Sequence, residues 1–145
     1  MKISSKIFLA LLCLLLLTSC SYPNDQEVDQ FISGLSQYQG EKPKSELIKA
    51  FLNSLKRPGD ENEKKTAQYA LARLGDYYAT YQDEDVLEGL IAVRMKGDFS
   101  TLVCHQIKSL TAIGTAKAYF SSQCAGLQVC IDKGFSREEL NTLCR

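Results

Sequence analysis

The stretch that decides the fold is residues 60–81, DENEKKTAQYALARLGDYYATY. Asp60, with Glu63 three residues later, gives a box-like capping pattern of the kind that starts helices. The apolar side chains that follow recur every three or four residues, which places them on one face of a helix of about four turns. These face residues are Ala67, Ala70, Leu71, Leu74, Tyr77, Tyr78 and Tyr81. The stretch therefore predicts a long amphipathic helix.

Further helical patterns lie on both sides of this stretch. Two precede it, the first starting at Asn24 and the second ending at Arg57, because the residue before a proline disfavours helix. Four follow it: one that ends at Gly97, one from about Ser100 to Leu110, one over residues 116–120 after a break at Gly114, and a short last one after Ser136. No segment shows sustained strand alternation. We expect an all-α fold, a small antiparallel bundle of five to seven helices, without the fixed period of a solenoid.

The N-terminus has the pattern of a bacterial export signal. Lys2 and Lys6 form a basic start, and residues 7–17 are an apolar run that is shorter than the roughly 20 residues of a membrane span. Leu17-Thr18-Ser19-Cys20 resembles the lipobox of bacterial lipoproteins, in which cleavage precedes a cysteine that carries acyl chains. The resemblance implies that residues 1–19 are a cleaved signal peptide and that Cys20 is the lipidated first residue. Residues 20–24 are then a tether and residues 25–145 a single helical domain.

The residue after Cys20 bears on location. In enterobacterial lipoproteins an Asp there favours the inner membrane, whereas this chain has Ser21. The resemblance therefore implies the outer membrane, with the domain on its periplasmic face. Several acyl chains would hold the protein firmly, since one chain binds a bilayer only marginally. An ordinary secretory signal with an incidental Cys20, or an uncleaved anchor, remains the alternative.

Charge argues against a nucleic-acid partner. Removing residues 1–19 takes away two of the 17 basic residues and none of the 17 acidic ones. The remaining chain is slightly acidic and lacks the basic excess that nucleic-acid binding needs. Membrane attachment would accordingly depend on the lipid anchor.

The cysteines predict two disulfides. Cys13 leaves with the signal peptide and Cys20 carries lipid, which leaves four cysteines in an oxidising compartment. They are Cys104, Cys124, Cys130 and Cys144. A zinc site is the competing interpretation, but it would need CxxC-type spacing or nearby histidines, and His105 is the sole histidine in the sequence.

Four cysteines allow three pairings. A turn at Gly114 would place Cys104 and Cys124 on opposite arms of an antiparallel hairpin, which favours Cys104–Cys124 with Cys130–Cys144. One continuous helix over residues 101–124 would instead hold Cys104 and Cys124 about 30 Å apart, beyond the reach of a disulfide. That arrangement would favour Cys104–Cys144 with Cys124–Cys130. We prefer the first pairing.

No catalytic pattern is found in the sequence. His105 follows Cys104, but neighbouring side chains on a helix diverge and a disulfide-bonded cysteine is no nucleophile. Acidic residues cluster at Asp83, Glu84, Asp85 and Glu88. A metal or acid–base pair is one interpretation of this cluster, and an acidic first helical turn that complements the macrodipole is the simpler one. We expect no enzyme activity, catalytic residue, metal or cofactor.

Tyrosines are the best candidates for partner contacts, since tyrosine is enriched at interface hot spots. Tyr69 lies off the apolar stripe and is the preferred partner-binding candidate. Tyr77, Tyr78 and Tyr81 lie on the stripe, where we expect them at the edge of the core with solvated hydroxyls.

Residues 130–140 carry a second resemblance. Cys130-Ile131-Asp132-Lys133-Gly134, followed by Ser136-Arg137-Glu138-Glu139-Leu140, is similar to the C-terminal stretch of resistance-associated immunity proteins of type VI secretion systems. Those proteins are small, helical, disulfide-bonded and periplasmic, and they block a toxin. Asp132 replaces the family's proline, and that family is mostly not lipidated.

The functional hypothesis is a lipid-anchored helical protein that binds another envelope protein. The alternatives are a toxin-neutralising immunity protein and a pilotin-like secretion assembly factor. An envelope hydrolase is disfavoured by the missing catalytic pattern.

Overall fold

The computed structural model describes residues 21–94 and 99–145. These ranges form eight α-helices and no strand, so the all-α prediction is confirmed. The helices are α1 (Asp25–Leu35), α2 (Lys44–Leu55), α3 (Glu61–Tyr81), α4 (Glu84–Arg94), α5 (Ser100–Leu110), α6 (Gly114–Ser121), α7 (Cys124–Leu127) and α8 (Arg137–Leu143). Only the four-residue α7 was not predicted, because one turn has no periodicity to detect. The predicted signal peptide, Cys20 and the predicted helix stop at Gly97 lie outside the described residues.

The predicted capping residues begin the helices where expected. The Oδ1 atoms of Asn24 and Asp60 accept from the backbone N–H of the residue three positions later, at 2.9 and 2.8 Å. Ser136 and Glu139 form a reciprocal capping box at the start of α8. Each of these contacts satisfies an N–H group that has no partner inside the helix.

Helices α1, α3 and α5 run parallel to one another. Residues near the start of one helix face residues near the start of the next, and the same holds for their ends. The contacting pairs are Asp25 with Thr66, Asp29 with Arg73, and Gly75 with Leu110, while Gln68 and Leu102 line the same groove. We call the end where these three helices begin the N-end of the bundle, and the opposite end the C-end.

Helices α2 and α4 run in the opposite direction and pack most extensively of all helix pairs. Lys44 at the start of α2 binds Asp83 just before α4, with Nζ and Oδ2 2.7 Å apart. Further along, Gly89 lies directly against Ile48. Consecutive helices are therefore antiparallel, as expected, while alternate helices are parallel. Helix α6 extends this second layer beside α4.

The architecture is a stack of three helical hairpins, α1–α2, α3–α4 and α5–α6, which is the packing principle of α-solenoids. The first helices of the hairpins begin at residues 25, 61 and 100. This spacing is uneven, which is why no fixed period was visible in the sequence. The core lies between the two helix layers, where, for example, Phe31 and Phe51 stack with ring centroids 4.0 Å apart.

Two disulfides are present in the C-terminal region, as predicted, but they join Cys104 to Cys130 and Cys124 to Cys144. The preferred pairing, Cys104–Cys124 with Cys130–Cys144, is therefore wrong, and so is the alternative. The break near Gly114 exists, but after it α6 packs against α4 in the second layer and does not lie directly along α5. As a result, Cys124 reaches the end of α8. The 3₁₀ turn Gln128–Cys130 instead packs against α5 and brings Cys130 to Cys104.

The folded domain begins earlier than predicted. Tyr22 is half-buried against the core and its hydroxyl donates to the carbonyl of Leu55 at 2.5 Å. Pro23 is buried and Asn24 caps α1. The predicted tether over residues 20–24 is thus corrected, because residues 22–24 belong to the domain.

Candidate functional site

A groove opens between α1 and α3 at the C-end and has a volume of about 380 Å³. The groove forms because α1, with 11 residues, is shorter than its neighbour α3, with 21 residues. We call it the C-end groove, and its lining residues are Ile32, Ser33, Ser36, Arg73, Asp76, Tyr77, Thr80 and Tyr81. It combines an apolar floor with hydroxyl groups and both signs of charge.

Tyr81 is the most exposed large apolar side chain in the described ranges, at 58 %. Its ring lies against that of Tyr77, with centroids 4.7 Å apart. Tyr77 is itself only 6 % exposed. An exposed aromatic ring supported by a buried one, at the edge of a groove, is a favourable anchor for a protein partner because it offers area with few rotatable bonds.

The orientation of Tyr77 is fixed by hydrogen bonds beneath the groove. Its hydroxyl donates to Oδ2 of Asp83 at 3.2 Å, and Lys44 donates to the same oxygen. Burial would raise the pKa of the Asp83 carboxyl, but the bonds from Lys44 and the Asp85 backbone outweigh it, so this pKa lies below its ordinary value. Burial, and then the charge of Asp83, raises the pKa of the Tyr77 hydroxyl. Tyr77 therefore stays a neutral donor.

The acidic cluster of the sequence is explained by this network and by the start of α4. Oδ1 of Asp83 accepts from the backbone N–H of Asp85 at 3.1 Å, which caps the first turn. Burial and the neighbouring Asp83 raise the pKa of the Asp85 carboxyl. Within residues 21–94 and 99–145, no group of three or more His, Cys, Asp or Glu residues could hold a metal ion.

Tyr69, the predicted partner-binding residue, lies inside the α1–α3 contact. Its half-buried ring packs against the core and its hydroxyl donates to Oδ1 of Asp29 at 2.6 Å. Tyr78 is fully buried and its hydroxyl is bonded to that of Thr115 at 2.7 Å, so the expected solvated hydroxyl is wrong there. Tyr81, at the end of the same stripe, is the residue that reaches solvent.

His105 and Cys104 do not form a catalytic pair. His105 is exposed on α5, whereas Cys104 is fully buried and bonded to Cys130. A disulfide sulfur cannot act as a thiolate nucleophile. The pair therefore has a structural explanation.

A larger groove of about 550 Å³ lies at the N-end, between the α2–α3 connection and the start of α5. We call it the N-end groove. It is lined by Lys56, Arg57, Pro58, Lys64, Gln68, Phe99, Thr101 and Leu102, none of which is acidic. Lys56 and Arg57 are adjacent in the sequence and Lys64 lies in the first turn of α3, so the cations come from one stretch of chain. The stacking of α3 on α5 adds the apolar Phe99 and Leu102 to them.

Arg94, at the end of α4, is 2 % exposed, and its three guanidinium nitrogens have no hydrogen-bond partner among the described residues. Burial lowers the pKa of this side chain. Within residues 21–94 and 99–145, no hydrogen bond compensates for the hydration that this cation loses on burial. Sequence reasoning missed it because the apolar stripe of α4 does not show which flanking residue becomes buried.

Comparison with known protein families, curated proteins and solved structures finds no match for this chain. No helix in the part of the chain that the structure describes is long and apolar enough to cross a membrane. The functional interpretation depends on the lipobox and on the geometry of the grooves.

Proposed function

We propose that this chain is a lipid-anchored binding protein of the bacterial envelope, which holds another envelope protein in its C-end groove. The observation that carries the proposal is Tyr81, which is 58 % exposed at the edge of the groove and supported by the buried ring of Tyr77. Because so much of its apolar surface is exposed, this side chain contributes more binding free energy than a buried one when a partner covers it.

The groove suits a peptide segment better than a small substrate. Ile32 gives an apolar contact, and Arg73 and Asp76 on the rim offer charges of both signs to a partner's backbone or side chains. Arg73 is oriented by Asp29, whose Oδ1 lies 3.2 Å from its Nε. An apolar centre with a polar rim is the usual anatomy of a protein interface.

Anchoring is the second part of the proposal. The lipobox ending at Cys20 supports attachment through acyl chains, and Ser21 supports the periplasmic face of the outer membrane. The variant Cys20→Ala removes the acceptor thiol, so the protein should take up no radioactive fatty acid in growing cells. Undiminished label in this variant would refute the lipid anchor, and it would leave the proposed binding site in the C-end groove unaffected.

Partner binding is tested by alanine substitution with a matched control. Val129 is the other large apolar residue that the described ranges expose, at 49 %, and it lies away from the groove. The partner is first captured by a photocrosslinking amino acid at Thr80 in intact cells, and its affinity is then measured with purified protein. Tyr81→Ala should weaken binding about 30-fold, because the loss of a hot-spot tyrosine costs about 2 kcal/mol of binding free energy. Val129→Ala should leave the affinity unchanged. Equal affinities of both variants would refute the C-end groove as the binding site.

A second candidate is a toxin-neutralising immunity protein, which the resemblance of residues 130–140 favours. In the structure this stretch is held by the bond between Cys104 and Cys130 and by the capping box of Ser136 and Glu139. This candidate requires that the captured partner is a secreted toxin and that the purified protein inhibits it. A captured component of a secretion apparatus would instead support the pilotin-like role.

A further inference from the structure

The start of the domain fixes which end of the bundle lies next to the membrane. The Tyr22 hydroxyl is bonded to the Leu55 carbonyl at the end of α2, and Pro23 is buried. Cys20 is two residues before Tyr22, so their Cα atoms can be at most about 8 Å apart. If Cys20 carries acyl chains, the N-end is therefore held within about 8 Å of the anchored residue.

The C-end must then be far from the bilayer whenever the bundle stands upright. Helix α3 runs from one end to the other over 21 residues, which is about 31 Å at 1.5 Å per residue. Such an orientation leaves the C-end groove open to a partner in the periplasm. A contact between the N-end and the membrane would hold the bundle in this orientation.

The N-end groove offers this contact. Lys56, Arg57 and Lys64 line it together with the apolar Phe99 and Leu102. It lies beside the α2–α3 connection, directly after Leu55, to which Tyr22 is bonded. Cations beside apolar side chains match the phosphate and upper acyl region of a phospholipid.

Acidic residues near the groove are largely occupied. Glu61 pairs with Lys64 at 3.1 Å, and both side chains are more than half exposed, so the pair is weak and open to exchange. Glu63 accepts from the backbone N–H of Gly59 at 2.9 Å. Asp60 caps the start of α3 by accepting from the backbone N–H of Glu63. No acidic residue lines the groove itself, so its cations face the opening without an acidic neighbour in the lining.

We propose that the N-end groove binds the headgroups of anionic phospholipids in the membrane that carries the lipid anchor. The contact orients the bundle with the C-end groove directed away from the bilayer. This inference depends on the proposed lipidation of Cys20, and it assigns opposite ends of one stack to lipid and to protein.

The experiment uses the full chain, exported and processed in cells, then purified and reconstituted into vesicles. Its mass is measured first, to establish the acyl chains on Cys20. A photocrosslinking amino acid is placed at Gln68, in the N-end groove, or at Thr80, near the other end of the same helix; both positions are exposed. The vesicles contain phosphatidylcholine alone or mixed with phosphatidylglycerol. The lipid adducts of the two positions are compared.

Gln68 should form lipid adducts at least about fivefold more often than Thr80, and more often with phosphatidylglycerol present. In the mixed vesicles, the double variant Lys56→Glu/Lys64→Glu should lower the Gln68 yield at least about fivefold, because each cation near an anionic surface contributes roughly that factor. The control Lys42→Glu/Lys117→Glu makes the same charge change at exposed C-end positions and should leave the yield unchanged. Circular dichroism verifies that every variant is folded.

Equal adduct yields at Gln68 and Thr80 in a lipidated chain would overturn the orientation. Equal effects of the two charge variants, or no dependence on phosphatidylglycerol, would overturn headgroup binding. A mass without acyl chains would refute the lipid anchor itself, and the inference would fall with it; that outcome is visible before any vesicle is used.

Discussion

Replacing Gly89 by alanine is the sharpest test of the helix stack. Gly89 of α4 lies directly against α2, and a Cβ atom there would be 2.6 Å from Cγ2 and 3.1 Å from Cβ of Ile48. Both atoms belong to the branched part of a buried side chain, whose χ1 angle is stiff. The contact can therefore be relieved only by moving α2 and α4 apart.

The magnitude follows from two opposing effects. Alanine in place of glycine in a helix interior stabilises by about 1 kcal/mol, while overpacking a well-filled core costs about 1–3 kcal/mol. For Gly89→Ala we expect a net loss of about 0–2 kcal/mol in the free energy of unfolding. Gly75→Ala is the matched control, because the atom nearest its new Cβ is Nε2 of Gln106, at the end of a flexible side chain. That side chain can rotate away, so this variant should gain up to about 1 kcal/mol.

The free energies of unfolding are measured by urea denaturation of the oxidised protein, followed by far-UV circular dichroism. A further control is Gly114→Ala, since no atom lies within 4 Å of a Cβ there. Combining Gly89→Ala with Ile48→Leu removes the branch at Cβ and should recover about 1 kcal/mol in a double-mutant cycle. If Gly89→Ala is as stabilising as Gly75→Ala, or if Ile48→Leu gives no rescue, the close approach of α2 to α4 is refuted.

Three other perturbations have defined outcomes. Asp83→Asn should lower the free energy of unfolding by about 1 kcal/mol at neutral pH. Because the folded state lowers the pKa of the Asp83 carboxyl, its stabilising contribution is full above the unfolded pKa of about 3.9 and disappears on further acidification. The denaturation curves of the two proteins should therefore converge below about pH 4, and a difference in stability that does not change with pH would contradict the role of Lys44. Arg94→Met should raise the melting temperature, since it removes a buried cation without a partner among the described residues; a lower melting temperature would show that the guanidinium is compensated. The two disulfides span 26 and 20 residues and contribute about 3 kcal/mol each. Their reduction should lower hydrogen-exchange protection after Gly114, while protection persists around Leu71. A uniform loss of protection along the chain would contradict this order.

Helix positions could be predicted from the sequence because their causes are local. A capping side chain acts within three residues, and an apolar stripe is defined within one helix, so Asp60 and Ser136 marked true starts. Disulfide pairing has no local cause. It depends on the path of α6, which packs on α4 through contacts that no spacing between cysteines reveals. The sequence therefore predicted the helix break at Gly114 correctly but gave the wrong disulfide partner for Cys104.

The exposed tyrosine shows the same limit at the level of the site. On the helical wheel, Tyr81 continues the stripe of Tyr77, which predicts a position at the edge of the core, while Tyr69 lies off the stripe. In the stack, α1 ends at Leu35, so nothing from that helix covers the last turn of α3. Tyr69, one turn before Arg73, still faces α1 and bonds to Asp29. The unequal lengths of two parallel helices thus decide which of the two tyrosines is exposed. This property belongs to the packed pair and cannot be detected in the sequence of either helix alone.

The same inequality links the groove to the proposed anchor. Because α1 begins beside Thr66, in the second turn of α3, the preceding Tyr22 reaches the end of α2 and closes the domain there. Because Asp29 lies level with Arg73 and α1 ends at Leu35, the last turn of α3 extends beyond α1 and the layer stays open beside Tyr81. A longer α1 would fill the C-end groove, and a later start of α1 would release the N-terminus. The position and length of the first helix therefore produce both features, an N-terminal segment packed on the core at one end and an uncovered aromatic surface at the other.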